Sequence, residues 1–357
     1  MAKLRIAVLF GGVSSEHEIS CLSAATVVRS LDADRYEVTK LGITKKGRWM
    51  AYPGGPDGMA DGSWETCADN VPAFISPDRT THGIVLNHAG RFDVVKVDVC
   101  FPVLHGKNGE DGTVQGLLAM AGIPCVGCGV FSSAACMDKA AANLIFGVWG
   151  LPHTPWMAVH RQELDDYDGI LFRMREKMDF PVFVKPAAAG SSVGCTRVDA
   201  EADLRNALLL ASIHDDTVLL EKAVDGIEVE CAVLGNQTLV ATRPGEIESC
   251  NDSYDYEAKY HSGGKSKLYI PARLPNEKLD EVRAIAEKAY KAMGCAGLAR
   301  VDFFVERGTN RVLLSELNTM PGFTDISMYP KLMEAEGIPL PTLVDRLVQL
   351  ALESAED

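Results

Sequence analysis

The chain opens on an apolar run, residues 4–10, that ends in Gly11-Gly12. That is the pattern of a buried parallel strand entering a tight turn. Apolar positions then recur with helical spacing at Ile19, Leu22, Val27 and Leu31, behind Ser14, Ser15 and Glu18, which resemble a capping signal. Further strands are expected over residues 36–44 and 97–104, and a helix over 112–122. Between them residues 51–72, rich in Gly, Pro and Asp, read as an exposed insertion. Strand and helix in alternation predict a doubly wound parallel sheet over residues 1–130.

From about residue 131 the pattern changes. Helices are expected over 133–149, near 163–177 and over 202–212, with strands at 182–185 and 218–221 around a loop of small residues, 186–194. Longer strands follow at 228–234, 237–243, 298–306 and 311–317, with helices at 276–293 and 341–353. No internal repeat or low-complexity tract interrupts this order. The division predicted is three α/β units: 1–130, 131–224 and 225–357.

A chain of 357 residues suits two or three packed units, and 47% hydrophobic with 24% charged residues is a globular composition. No apolar run approaches the roughly 20 residues that span a bilayer. The first residues lack a signal-peptide pattern, so a cytoplasmic protein without a membrane partner is expected. A formal charge of −14 argues against nucleic acid as a partner, because phosphate neutralisation needs a basic face. The ten cysteines have no framework spacing and read as buried reduced thiols. Cys125 and Cys128 lack the second pair that a zinc site needs.

Candidate chemistry sits at strand ends. Lys185 closes a strand and feeds Pro186-Ala187-Ala188-Ala189-Gly190-Ser191-Ser192, whose backbone N–H groups could approach phosphate closely; a flexible surface loop would have the same composition. Arg300 and Asp302 share one face of a strand, as do Glu316 and Asn318 on the next. Acids among apolar β residues are costly unless paired or metal-bound, and this oxygen set suits Mg²⁺. Arg300 beside them could stabilise developing negative charge. The Pro321-Gly322 turn that follows could present a backbone N–H. His105 lies in a glycine-punctuated loop at the carboxyl end of a strand, where open α/β sheets bind ligands. Glu16, at another strand end, would repel a pyrophosphate and attract an ammonium. With the GxGxxG fingerprint absent, a nicotinamide oxidoreductase is disfavoured.

In chain order, residues 10–20 (FGGVSSEHEIS), 104–116 (LHGKNGEDGTVQG), 137–139 (MDK), 184–194 (VKPAAAGSSVG), 254–260 (YDYEAKY), 299–304 (ARVDFF) and 315–324 (SELNTMPGFT) resemble the D-alanine–D-alanine ligases. The resemblance implies a three-domain ATP-grasp fold, with ATP held between central and C-terminal α+β domains. It also implies a homodimer, Mg²⁺ or Mn²⁺ as two ions, and ligation of two D-alanines through a D-alanyl phosphate for peptidoglycan precursors. By the same resemblance Glu16 holds the first D-alanine's ammonium, with His105 beside that substrate. Lys139, Lys185, Ser191, Ser192 and Lys259 meet the ATP phosphates. Glu221, Lys222, Ala223 and Val224 line the adenine pocket, and Glu228 meets the ribose. Ser191 and Tyr260 join Glu16 in a hydrogen-bonded set. Asp302, Glu316 and Asn318 are metal ligands; Arg300 and Gly322 stabilise the transition state; Ser327 and Met328 meet the second D-alanine. The chain departs from the family's pattern at Ala187-Ala188-Ala189, where polar residues are frequent, and at Ala223, where an aromatic residue often stacks on adenine.

Three other readings stay open at this point. They are D-alanyl-D-serine ligase, D-alanyl-D-lactate ligase and a non-catalytic nucleotide-binding regulator of the same fold. Retained acids at 302 and 316 weigh against the last. Intact Tyr256-Glu257-Ala258-Lys259-Tyr260, with His261 read as a solvated loop residue, weighs against the ester. An apolar Met328 weighs against D-serine.

Overall fold

The computed structural model describes residues 2–190, 193–248 and 267–356. Its α/β architecture is built on three sheets of seven, four and six strands. In the first, Leu4–Gly11 lies between Tyr36–Ile43 and Val99–Pro102, parallel to both. Residues Ile6 to Phe10 are buried without exception, as expected of a strand covered on both faces.

The parallel part ends there. After Ile43 the chain turns back through Gly47, at φ +78°, and Trp49–Tyr52 pairs antiparallel with Tyr36–Ile43. Val71–Ile75, Gly83–His88 and Arg91–Lys96 extend the sheet as an antiparallel meander. Residues 51–72 are therefore not an exposed insertion. Met59 and Trp64 within them are fully buried. The Trp64 ring meets Phe10 edge-on at 4.7 Å, and a Cβ on Gly42 would come within 2.3 Å of it, so glycine at 42 makes the room. Counting Gly, Pro and Asp missed this, because two large apolar side chains are enough to anchor a polar segment.

The second sheet runs Thr196–Val198, Val182–Pro186, Thr217–Lys222, Trp156–His160, all antiparallel. Ahead of it, the single helix expected over 133–149 is two, Val130–Met137 and Lys139–Val148. Asp138 breaks the run: in extended backbone, its carboxylate accepts from the N–H groups of Ala140 and Ala141 and caps the second helix. That cap places Lys139 at a helix start facing the small-residue loop.

The third sheet is centred on Gly226–Leu234, Leu298–Glu306 and Val312–Asn318, paired antiparallel, with Gly245–Glu248 and Lys267–Tyr269 on its other side. The strand expected over 237–243 shrinks to Val240–Ala241. Helix Asn276–Ala292 covers one face. Helix Met328–Ala335, absent from the sequence reading, packs on the other with the closing helix Leu340–Glu356. Leu343, Val344, Leu347 and Val348 share a core with Ile6 and Val8, so the end of the chain returns to the first sheet. Arg35 pairs with Asp345 at 2.5 Å across that contact. No described helix is long and apolar enough to cross a membrane.

Candidate active site

Register assembles the central cluster. Across three adjacent strands Glu230, Asp302 and Glu316 stand in one row, and Ala232, Arg300 and Asn318 in the next. Directly paired antiparallel residues point to the same face, so the four residues singled out from sequence do converge. Arg300 holds Asp302 with its fork, Nε to Oδ1 at 2.7 Å and Nη2 to Oδ2 at 2.6 Å. Burial works against the Arg300 charge, but Asp302 and Glu230 outweigh it and its pKa lies well above the usual value. Asn318 Oδ1 accepts the Met320 N–H at 3.1 Å, which turns the chain as it leaves the strand.

The two lysines expected at phosphate meet this row. Lys139 Nζ lies 3.7 Å from Glu316 and donates to the Ala189 carbonyl at 3.0 Å. The Lys139 N–H also donates to Ala187 O at 3.0 Å, so the small-residue loop is tied to the helix start. Lys185 is paired with Glu221. Burial opposes the Lys185 ammonium, yet Glu221 and Glu316 together raise its pKa.

The residues expected to line adenine sit at the end of strand Thr217–Lys222. The Lys222 ammonium donates to the carbonyls of Asp179 and Phe180, while the backbone N–H groups of Lys222 and Ala223 donate to Pro155 O and Pro181 O. Glu221 is buried and Val224 half-buried; Glu228 lies opposite Phe304 on the catalytic sheet.

From the first sheet, Glu16 is 9% exposed and reaches the same region. Its Oε2 stands 2.8 Å from where a Cβ on Gly106 would lie and 3.1 Å from one on Gly190. The two glycines bring backbone against this carboxylate, and Gly106, at φ +68°, also needs glycine's freedom. His105 is buried with both ring nitrogens engaged: Nδ1 donates to Met320 O at 3.0 Å, and Nε2 accepts from Ser23 Oγ at 3.1 Å. Ser23 Oγ in turn accepts the Phe323 N–H at 3.1 Å. Burial lowers the His105 pKa against the pull of Glu16, which suits this neutral tautomer. His105 therefore anchors the Met320–Phe323 turn.

At Gly322 a Cβ would fall 2.7 Å from Ser327 Oγ, and that oxygen accepts the Thr324 N–H at 3.1 Å. Met328 is 4% exposed, its thioether against Gly245 within the core. The contact expected of Met328 was with the second D-alanine; in the structure its side chain packs on the protein's own strand. Ser191, Ser192, Tyr256, Glu257, Ala258, Lys259, Tyr260 and His261 lie outside the described residues, and with them the expected link between Glu16, Ser191 and Tyr260.

One functional group carried no role in the sequence reading. Glu110 Oε2 accepts the Gly106 N–H at 2.5 Å, close to Glu16. Burial and the Glu16 charge push its carboxyl up to about 8. The signal was an acid set between Gly109 and Asp111 in a loop that folds on itself; its meeting with Glu16 is tertiary. Because the folded pKa is raised, the neutral form stabilises the fold fully below about pH 4.3, and the contribution is lost as pH rises through about 8. Glu110→Gln removes this titration. Thermal unfolding from pH 5 to 8.5 should show the wild type losing stability relative to the variant, and parallel curves would refute it.

The donor set for a cation is two carboxylates and an amide oxygen on one face, hard ligands of the kind Mg²⁺ and Mn²⁺ take. Among the described residues no cluster of three His, Cys, Asp or Glu side chains is placed to hold a metal by itself. The described cysteines are all unbridged, and Cys128 gives its thiol to the Leu298 carbonyl.

Comparison with known proteins identifies the family. A family model described as "D-ala D-ala ligase N-terminus" covers residues 5–128, and one described as "D-ala D-ala ligase C-terminus" covers 145–349. The chain is 48% identical to a D-alanine–D-alanine ligase of Caldicellulosiruptor bescii, over 99% of this chain and 96% of that one. It is 49% identical to another from a Thermoanaerobacter species, over 99% and 98%. Among solved structures, the VanG D-Ala:D-Ser ligase of Enterococcus faecalis superposes with a TM-score of 0.90 at 37% identity, covering 98% of this chain and all of that one. The D-alanine–D-alanine ligase of Coxiella burnetii follows with 0.87 and 34%, covering 100% and 96%.

Proposed function

The chain belongs to the D-alanine–D-alanine ligase family, and from that premise we propose how its residues perform an ADP-forming ligation. It is an ATP-using enzyme that joins two D-alanines for cell-wall precursor synthesis. The observation that carries the site assignment is the convergence of Lys185, Glu221, Glu316, Asp302 and Arg300 from the second and third sheets with Lys139 from its helix start. Glu16 and the His105 loop close the same region from the first sheet.

ATP lies between these two sheets in this reading. The backbone N–H groups of Lys222 and Ala223 are already committed. Adenine is therefore held by carbonyls of residues 221–223 and by the Val224 N–H, with the ribose at Glu228. Lys139 and Lys185 neutralise phosphate oxygens, and the Pro186–Gly190 backbone approaches them without side-chain obstruction; Ser191, Ser192 and Lys259 belong to this set. Asp302, Glu316 and Asn318 would hold Mg²⁺ or Mn²⁺, which would offset the charge of the nucleotide phosphates.

Glu16 takes the ammonium of the first D-alanine and leaves its carboxylate toward Arg300. Phosphorylation of that carboxylate makes an acyl phosphate, the electrophile that a carboxylate alone is not. The amine of the second D-alanine, placed by Ser327 and the Met328 helix start, then attacks, and the tetrahedral intermediate releases phosphate. Arg300 and the Gly322 N–H face the oxyanion. His105, bound to Met320 O and Ser23, fixes the turn that presents Gly322. A homodimer is part of this proposal.

D-serine is the second reading, favoured by the E. faecalis D-Ala:D-Ser ligase superposition. The relatives with 48% and 49% identity carry the D-alanine name, which favours D-alanine. Equal D-alanine, D-serine and D-lactate offered with ATP at about pH 6 and pH 8 should give D-alanyl-D-alanine as the main product. Predominant D-serine dipeptide at either pH, or the lactate ester at the lower one, overturns the substrate assignment.

A further inference from the structure

Glu230 has no part in the ligand set proposed above, yet it is 2% exposed on the central strand of the catalytic sheet. Its neighbours Val229, Cys231 and Ala232 are all apolar and buried. A buried carboxylate costs several kcal/mol unless it is paired, so an apolar residue would serve packing better. Its place in the row is specific: it lies opposite Asp302, which in turn lies opposite Glu316. Arg300 Nε reaches Asp302 Oδ1 at 2.7 Å and Glu230 Oε2 at 3.2 Å, so one guanidinium is shared between two carboxylates of that row.

The sharing has a consequence if Asp302 is a metal ligand, the assignment on which this inference rests. Both Asp302 oxygens are taken by the Arg300 fork. A cation held by Asp302 would compete with that fork for the same two oxygens. Arg300 must then keep its position by other means, or leave the transferring group. We infer that Glu230 is a positioning residue: it holds the Arg300 guanidinium in place while Asp302 turns from it to the divalent cation. With Glu230 neutral, Arg300 settles wholly on Asp302 and competes with the metal for it.

Glu230→Gln keeps the shape and removes the charge. Free Mn²⁺ would be followed by electron paramagnetic resonance in the presence of ADP, beside the Mg²⁺ dependence of phosphate release. The expected result is Mn²⁺ binding weakened about tenfold, with half-saturating Mg²⁺ raised by a similar factor. The KM for the first D-alanine stays unchanged and kcat falls. In an Arg300→Lys background, where the fork is already lost, Glu230→Gln should add little.

Two results overturn the inference: Mn²⁺ affinity unchanged with only a lower unfolding temperature, or an equal loss in the Arg300→Lys background, which would make Glu230 a bare charge near the metal. If Glu230→Gln does not fold, Glu230→Asp, which keeps the charge but withdraws it by one methylene, is read the same way. Glu316→Gln separates the two levels. If it too leaves Mn²⁺ affinity unchanged, the ligand set is wrong; if it alone weakens binding, only the role of Glu230 fails.

Discussion

Glu316→Gln is expected to fold as the wild type does and to lose turnover by a factor on the order of 100 or more at saturating Mg²⁺. Glu316 stands opposite Asp302 on the neighbouring strand, with Lys139 3.7 Å away. In that place a carboxylate does two things that an isosteric amide cannot. It offsets the charge of the cation, and it helps keep Lys185 protonated, whose pKa it raises together with Glu221. The fold is spared because Lys185 keeps Glu221 as its partner and the side chain at 316 is only half-buried. Phosphate release from ATP and D-alanine, titrated with Mg²⁺, measures the first effect; thermal unfolding checks the second. Near-normal turnover at saturating Mg²⁺ would remove Glu316 from the ligand set.

Much of this site was legible along the chain because strands have a period of two. Arg300 with Asp302, and Glu316 with Asn318, each declare a shared face without any knowledge of pairing. What no strand declares is its register. The direct opposition of Asp302 to Glu316, and of Glu230 to Asp302, is set by antiparallel pairing across more than 70 residues in the second case. Glu230 therefore drew no notice in the sequence. Ser23 was hidden for a similar reason: it bridges His105 and Phe323, partners 82 and 300 residues away. Glu110 was visible as a residue but not as a neighbour of Glu16.

The fold shows the same division. Buried strands such as Leu4–Gly11 announce themselves through continuous apolar runs, whereas Gly83–His88 and Arg91–Lys96 are short, partly polar strands near a sheet edge and do not. Apolar periodicity runs on through residue 138, so only the cap geometry of Asp138 reveals the break that aims Lys139. At Met328 the sequence suggested an apolar wall for the second substrate, whereas the structure packs the thioether beside Gly245, which no local pattern links to it.

Arg300 is the residue whose loss should cost most, because it is the shared counter-charge of a buried row. Arg300→Met leaves Asp302 and Glu230, 5% and 2% exposed, facing each other without a cation. Removing one partner of a buried pair costs about 3–5 kcal/mol, so urea unfolding should shift by an amount of that order. Arg300→Lys separates charge from geometry. It restores a counter-ion and with it much of the stability, but a single ammonium cannot reproduce the fork that holds both Asp302 oxygens. Turnover in Arg300→Lys should still fall by about 100- to 1,000-fold, the usual effect of losing one donor to a developing oxyanion. Pre-steady-state phosphate release with D-alanine and ATP would place that loss in the chemical step, while nucleotide affinity changes little. A lysine variant of near-normal rate would make Arg300 a structural counter-ion alone, and an Arg300→Met protein as stable as the wild type would mean that the row is not the buried charge cluster described.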